Sequence, residues 1–372
     1  MPRYAAMLAD GMRKRGHTVE ICSPEPFFFR LPVKKGIRKW LGYIDQYIIF
    51  PQQVKRRMKN YKAGTLFVFS DQALGPWVPL VAKYPHVIHC HDFLAQRSAL
   101  GELPENSSGW TGRKYQAFIR RGFRKGRNFI SVSKKTREEL HRFLVIPPLR
   151  SEVVYNGLNQ SFHPGNISEI RSTLSTQLNI DLSIGYILHV GGNQWYKNRK
   201  GVIEIYEAWR KKNEGNLPLL MVGKMPGKEL MDYFDRSAFK AGIHWLTDMN
   251  DEQVRMVYAA ALVFLFPSLA EGFGWPIAEA MASGCPVITT NEAPMTEVAG
   301  DAGFLVNRKP LEIEQVKTWA SHSAETLNKV ISFSGEERKK VVDVGIENAK
   351  RFNPEDALDK IEALYKEIVE SN

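Results

Sequence analysis

The sequence predicts an α/β protein built on doubly wound parallel sheets, and three observations carry that reading. Across the second half of the chain, short apolar runs alternate with amphipathic stretches at a regular beat, the pattern of strands each followed by a helix. One such unit, from Leu262 to Gly284, joins a purely apolar run to a glycine-punctuated turn and then to a helix. The length, 372 residues, suits two domains each able to bury a core.

That unit organises the rest. Leu262–Phe266 reads as a buried parallel strand, ended by Pro267 and Ser268. The turn carries Glu271, Gly272, Phe273, Gly274 and Trp275, and Pro276 then falls in the first turn of a helix that ends before Gly284. Glu279 lies about one helical turn in. Two carboxylates are thus expected around a helix N-terminus at the carboxyl end of a strand, where ligands bind in open α/β sheets. Unpaired backbone N–H groups there favour phosphates, and a carboxylate can accept hydrogen bonds from sugar or ribose hydroxyls.

The stretch PS-x-x-EGFG-x-P-x-x-EAMA-x-G-x-PV-x-T, continuing through EVAGDAG at 297–303, resembles the Glu, seven residues, Glu signature of retaining glycosyltransferases of the GT-B fold, family 4. The resemblance implies two Rossmann-like domains facing across a cleft, and a nucleotide-sugar substrate. It implies Glu271 near the donor sugar hydroxyls and Glu279 near the ribose. Gly272, Phe273 and Gly274 are expected to line the donor.

The strand that opens the second domain ends at HVGGNQWYKNRKG. Gly191 and Gly192 let the backbone approach a ligand, while Lys197, Arg199 and Lys200 crowd a helix start where cations oppose the dipole and so suggest an anion. The family pattern aligns Lys197 with the lysine that holds the donor diphosphate. Alignment back from the helix chooses Lys200, and Arg199 stands in for a second cation because Gly192 occupies the usual arginine position. Strands are expected at 184–190, 218–222, 243–246, 262–266, 286–290 and 304–306, with helices at 199–210, 227–241, 251–260 and 276–283.

In the first half, Pro2 to Arg15 reads as a helix and His17 to Cys22 as a strand. Similar chains begin with a strand and a glycine-bearing turn before that helix, and here both are missing. The first strand of the N-terminal domain is therefore expected to be absent, and the natural protein is expected to begin upstream of Met1. The segment 27–62 is basic and aromatic. It reads either as a helix pair with solvated lysines or as an amphipathic surface that docks on anionic membrane through Trp40, Tyr43, Tyr47 and Phe50. Strands are expected at 65–70 and 87–90, the second leading into His91. His89 reads as a core histidine and His91 as a rim residue. The IHCHDF stretch resembles the family's histidine-bearing strand end, which implies a sugar-side role for His91, with His89 second. A helix at 113–127, a strand at 129–133 and a Ser133 cap follow. VVYNGLNQSFHP at 153–164 resembles the family's entry into the interdomain linker, with Tyr155 and Asn159 departing from the usual Pro and Asp. The domains are expected at 1–175 and 176–350, with a last helix in 351–372 returning to the first.

Charge is split between the halves. Residues 1–180 hold 29 Lys and Arg against 12 Asp and Glu, and the remainder 22 against 28, for a net +11. Such a basic half attracts anionic lipid, anionic substrates or nucleic acid, but it carries no recognisable nucleic-acid motif. No apolar run approaches the length of a bilayer span. Three dispersed cysteines, Cys22, Cys90 and Cys285, fit a reducing, cytoplasmic setting, with contact on the inner face of the membrane as one reading of the basic stretch. No D-x-D pair is present, so no metal or other cofactor is expected.

Together these readings predict a retaining glycosyltransferase moving a sugar from a UDP- or GDP-sugar to a glycan or lipid-linked acceptor. The alternatives are a nucleotide-sugar epimerase or a non-catalytic sugar-nucleotide binder of the same fold.

Overall fold

The computed structural model describes residues 2–158, 161–213 and 215–371. Two compact units emerge, Met1–Tyr155 with Glu355–Asn372, and Asn156–Pro354. The departure noted at Asn159 lies outside the described residues.

The first unit opens with helix α1 (Pro2–Lys14), followed by α2 (Lys35–Ile44) and α3 (Phe50–Met58), which a π-helical turn at Asp45–Ile49 joins. Then come β1 (Phe67–Phe69), β2 (His86–Cys90), α4 (Leu94–Ala99), α5 (Trp110–Phe123), β3 (Asn128–Ser131), α6 (Lys134–Phe143) and β4 (Arg150–Val153). The four strands pair in parallel in the order β1-β2-β3-β4. Among the described residues no strand precedes Phe67.

Alternation along β2 sorts side chains to two faces. Val87 joins Tyr4, Leu8 and Met12 of α1, while Ile88 and Cys90 join Phe93, Ile119 and Phe123. Ser133 caps α6 by accepting from the Thr136 N–H.

Three expectations for this unit need correcting. His17 to Cys22 is not a strand. An extended segment becomes a strand only where a ladder partner satisfies its backbone. Here the segment is instead tied by its side chains, with Glu20 accepting from Arg57 Nη1 (3.1 Å) and the Tyr61 hydroxyl (3.0 Å). Phe50 is not an outward-facing aromatic, because its ring is buried edge-on against Trp77 (5.1 Å). Tyr47 is partly covered, its ring 6.1 Å from that of Trp77 and its hydroxyl 2.8 Å from that of Tyr115.

The second unit holds α7 (Ile167–Leu178), β5 (Ile187–Val190), α8 (Arg199–Lys212), β6 (Leu219–Val222), α9 (Lys228–Asp235), β7 (Ile243–Leu246) and α10 (Asp251–Ala259). It continues with β8 (Val263–Phe266), α11 (Trp275–Ala282), β9 (Val287–Thr290), α12 (Met295–Ala299), β10 (Gly303–Val306), α13 (Ile313–Ser332) and α14 (Gly335–Ala349). Its six parallel strands run β10-β9-β8-β5-β6-β7. Counted within the unit this is the order 3-2-1-4-5-6, in which the chain reverses direction between its first and fourth strands. The helix expected over 227–241 stops at Asp235, and Ser237 Oγ then accepts from the Phe239 N–H in a tight turn.

The last helix, α15 (Pro354–Glu370), packs Leu358, Ile361, Tyr365 and Ile368 against Tyr4, Leu8 and Met12 of α1. Gly11 permits the approach, since a Cβ there would lie 2.8 Å from Leu358. The units divide after Tyr155 rather than at 175. The cause is α7, whose Leu174 is fully buried and whose Arg171 Nε donates to Ala260 O at 3.0 Å, both within the second unit.

Candidate active site

The reversal between β5 and β8 brings two loops together at the carboxyl ends of those strands. The first runs from Gly191 to Asn198 and starts α8; the second runs from Pro267 to Gly274 and starts α11. They are stitched to each other. Asn198 donates through Nδ2 to Pro267 O (2.8 Å), and the Leu269 N–H donates to Tyr196 O (2.7 Å). Asn198 also caps α8 by accepting from the Gly201 N–H, in a left-handed conformation (φ 49°) that asparagine tolerates.

Across this seam the Lys197 ammonium meets the Glu271 carboxylate, Nζ to Oε1 2.7 Å. The two side chains keep 14% and 9% exposure, so water screens the pair poorly. Ser268 Oγ lies 2.8 Å from the same Oε1 and 2.7 Å from Tyr196 O. The ammonium also stands 4.9 Å from the Phe266 ring, a favourable cation–π distance.

Glu279 projects from α11, and its Oε2 accepts from the Tyr258 hydroxyl at 3.0 Å. Burial pushes its carboxyl up from 4.5 to about 7, against the opposing pull of the Tyr258 hydrogen bond and the Lys197 charge. Glu279 and Glu271 therefore share the field of one lysine.

Of the three expected cations, Lys197 is the one that reaches Glu271. Arg199 is buried and its Nη1 donates to Lys224 O (2.8 Å) and Asn193 Oδ1, with the guanidinium 4.7 Å from the Trp245 ring. Lys200 lies 5.0 Å from the Tyr233 ring. Both contacts belong to the β6 and β7 side of α8, so neither side chain stands beside the carboxylates. Burial lowers the Arg199 pKa to about 10, which still leaves it charged at neutral pH.

Gly191 and Gly192 sit at the mouth of the first loop, and a Cβ on Gly191 would lie 2.8 Å from His189 Nε2. Gly274 takes φ 103°, which turns the chain into α11. Phe273 is a core residue, its ring edge-on to Phe352 at 5.5 Å, so of the Gly272–Gly274 turn it offers a ligand backbone rather than ring.

In the first unit, His91 follows β2 directly. Its Nε2 donates to Ser70 O (2.9 Å), its backbone N–H donates to Gln72 Oε1 (2.9 Å), and its ring meets Tyr4 edge-on at 4.5 Å. A carbonyl can only accept, so Nε2 carries the proton and Nδ1 keeps its lone pair. Burial lowers the pKa despite nearby Asp71 and holds the ring neutral. His89 is a core histidine, clamped between the hydroxyls of Tyr4 (2.8 Å to Nδ1) and Tyr365 (2.7 Å to Nε2). Among the described residues no cluster of three His, Cys, Asp or Glu is arranged to hold a metal.

Sequence reasoning missed Tyr258, Ser268 and Asn198 as parts of this site. Asn198 had a visible signal, an asparagine directly before a helix start. Tyr258 had none, because an aromatic on a helix normally reads as core.

Two family models match the chain, "Glycosyltransferase Family 4" over residues 1–162 and "Glycosyl transferases group 1" over residues 185–320. A curated relative, the O-antigen chain mannosyltransferase B of Escherichia coli, is 28% identical over 240 residues, which is 64% of this chain and 60% of the relative. Part of that relative's length is thus unmatched. Among solved structures, the lipopolysaccharide glycosyltransferase WaaG superposes with a TM-score of 0.70 at 18% identity, over 98% of this chain and 95% of WaaG. HepE of Anabaena, solved with UDP and glucose, gives a TM-score of 0.68 at 19% identity, over 95% and 88%. At such identities the structural likeness establishes a shared fold.

Proposed function

The chain belongs to the group 1, family 4 glycosyltransferases of the GT-B fold, and from that premise we propose that it moves a hexose from a UDP- or GDP-sugar to a glycan or lipid-linked acceptor with retention of configuration. The observation that carries the reading is the Lys197–Glu271 pair at the reversal between β5 and β8. An ammonium there, beside the N-termini of α8 and α11, suits a departing diphosphate. Glu271 suits the hydroxyls of the donor sugar, Glu279 the ribose, and neutral His91 a sugar hydroxyl that can donate to Nδ1.

In this reading the bond from the anomeric carbon to the diphosphate oxygen breaks first. The acceptor hydroxyl then bonds to that carbon from the same face, and its proton passes to the departing phosphate oxygen. Lys197 offsets the charge that develops on the diphosphate, with no metal required of the chain's own residues.

Incubation with UDP-, GDP- and ADP-sugars, scoring nucleotide release and the anomeric configuration of the product by NMR, tests the proposal. Release with one donor class and a retained anomer is expected. An inverted product, or an isomerised free nucleotide-sugar in place of transfer, would overturn it.

A peripheral position on anionic membrane belongs to the same reading. Trp40 on α2 and Trp110 on α5 are 69% and 72% exposed. Lys34, Arg38 and Lys39 stand exposed around the first, Arg113 and Lys114 around the second. The two helices are joined through Tyr43 and Tyr115, whose rings lie 6.3 Å apart. No helix among the described residues is long and apolar enough to cross a membrane. Co-sedimentation with vesicles that contain anionic lipid, and not with neutral ones, is expected at low salt; equal or absent binding would favour an acceptor free in solution.

A further inference from the structure

Tyr258 is fully buried on α10, its ring edge-on to Phe264 at 5.3 Å and to Phe162 at 5.8 Å. These packing contacts use the ring and have no need of a hydroxyl. A phenol O–H sealed among apolar groups must still find an acceptor. It finds the Glu279 carboxylate, donating to Oε2 at 3.0 Å. Ser283 Oγ also bonds Glu279, but at the backbone carbonyl, 2.9 Å away, and so does not direct the side chain.

We propose that Tyr258 is a positioning residue for the donor nucleotide: by engaging Oε2 it holds Glu279 in one rotamer and leaves Oε1 to receive the ribose hydroxyls. The proposal rests on the reading of Glu279 as the ribose acceptor and adds the residue that makes this acceptor effective. Glutamate has three side-chain torsions, and one that is only partly covered samples several rotamers unless something holds it. A hydroxyl fixed by a rigid, buried ring supplies that hold.

The same bond affects charge. The groups that face the carboxyl are Tyr258 from α10 and Lys197 from the loop before α8, and both favour its ionised form. Tyr258 is in turn near buried Cys285, whose thiol burial pushes up to about 12, so that it stays neutral. Removing the Tyr258 hydroxyl therefore moves the protonation of Glu279 to higher pH.

The test measures calorimetric binding of whichever of UDP, GDP or ADP the protein takes, beside its 2′,3′-dideoxy counterpart, to wild type, Tyr258→Phe and Glu279→Ala. Phenylalanine keeps the ring packing and removes only the hydroxyl. About tenfold weaker binding of the ribonucleotide by Tyr258→Phe is expected, as for one lost hydrogen bond to a charged group, with the dideoxynucleotide unaffected. The pH at which ribonucleotide affinity falls to half should also rise in Tyr258→Phe. An equal loss on both nucleotides, or no loss, would overturn the positioning role. If Glu279→Ala distinguishes the two nucleotides and Tyr258→Phe does not, the ribose reading stands and this inference fails. If Glu279→Ala does not distinguish them, the ribose reading fails and the inference with it.

Discussion

Glu271→Gln separates what the carboxylate does for the fold from what it does for the chemistry. The sequence places Glu271 on a loop, where a neutral replacement should leave stability intact. The structure predicts otherwise. Lys197 Nζ stands 2.7 Å from Oε1, and both side chains are largely covered, so the variant leaves a poorly solvated ammonium without its counter-charge. Breaking a buried pair from one side costs about 3–5 kcal/mol. Here the glutamine oxygen still offers an acceptor and Glu279 shares the field, which brings the cost to about 2–3 kcal/mol. For a unit of this size that is a drop in Tm of about 5–10 °C by scanning calorimetry. Turnover should fall by about 10²-fold or more, as when one preorganised group is removed from a charged transition state. The double variant Lys197→Met with Glu271→Gln removes both charges, and should recover most of the lost Tm while staying inactive. Near-normal turnover by Glu271→Gln with an unchanged melting curve would refute both halves of the reasoning.

The remaining predictions probe the other buried polar groups. Lys197→Ala should weaken binding of the donor and of the free nucleoside diphosphate together; if affinity is unaltered by calorimetry, another cation holds the phosphate. Glu279 has a folded pKa of about 7 against an ordinary 4.5, so the folded state binds its proton more tightly and the group lowers stability as pH rises through that window. Glu279→Gln should accordingly gain up to about 3 kcal/mol at pH 8 and nothing near pH 4, read from denaturant midpoints across pH. Tyr365→Phe removes the partner of His89 Nε2 in the first unit and should cost about 1–3 kcal/mol, seen as a lower denaturation midpoint with nucleotide binding unchanged.

How much of this was legible depends on whether the deciding physics is local. The strand–helix beat of the second unit and the turn at Gly272–Gly274 follow from side-chain period and backbone freedom, which a sequence displays. Strand pairing is not local, and His17 to Cys22 shows it: a stretch with strand-like composition stays unpaired where no ladder reaches it. The choice among Lys197, Arg199 and Lys200 was hidden for another reason. These residues are separated by at most three positions, yet Lys197 ends a 3₁₀ turn and Arg199 starts α8, with left-handed Asn198 between them. That one residue sends neighbouring cations to opposite sides of the helix start, and only the backbone conformation reveals it. Tyr47 and Phe50 mislead in the same way, since an aromatic, basic helix does not say which of its rings will find a neighbour.

The Lys197–Glu271 pair is better explained by ligand binding than by stability. Charges taken out of water recover little of their desolvation cost from each other, and a well-packed apolar pair of similar volume would hold the two loops at least as well. The loops do not need the pair in any case, because Asn198 to Pro267 and Leu269 to Tyr196 already bind them through hydrogen bonds. On the proposed reading, what the ion pair would add is a cation held ready at the point of the sheet where helix N-termini converge, with a carboxylate keeping it in place until a stronger anion arrives. A diphosphate carries more charge than one carboxylate and can draw the ammonium toward itself, which leaves Glu271 free to accept hydrogen bonds from the sugar attached to that diphosphate. If so, the double variant that recovers the Tm must also lose the affinity for nucleoside diphosphate that wild type shows. A stable double variant that still binds the nucleotide as tightly as wild type would mean that Lys197 does not hold the diphosphate, and the ligand reading of the pair would fall.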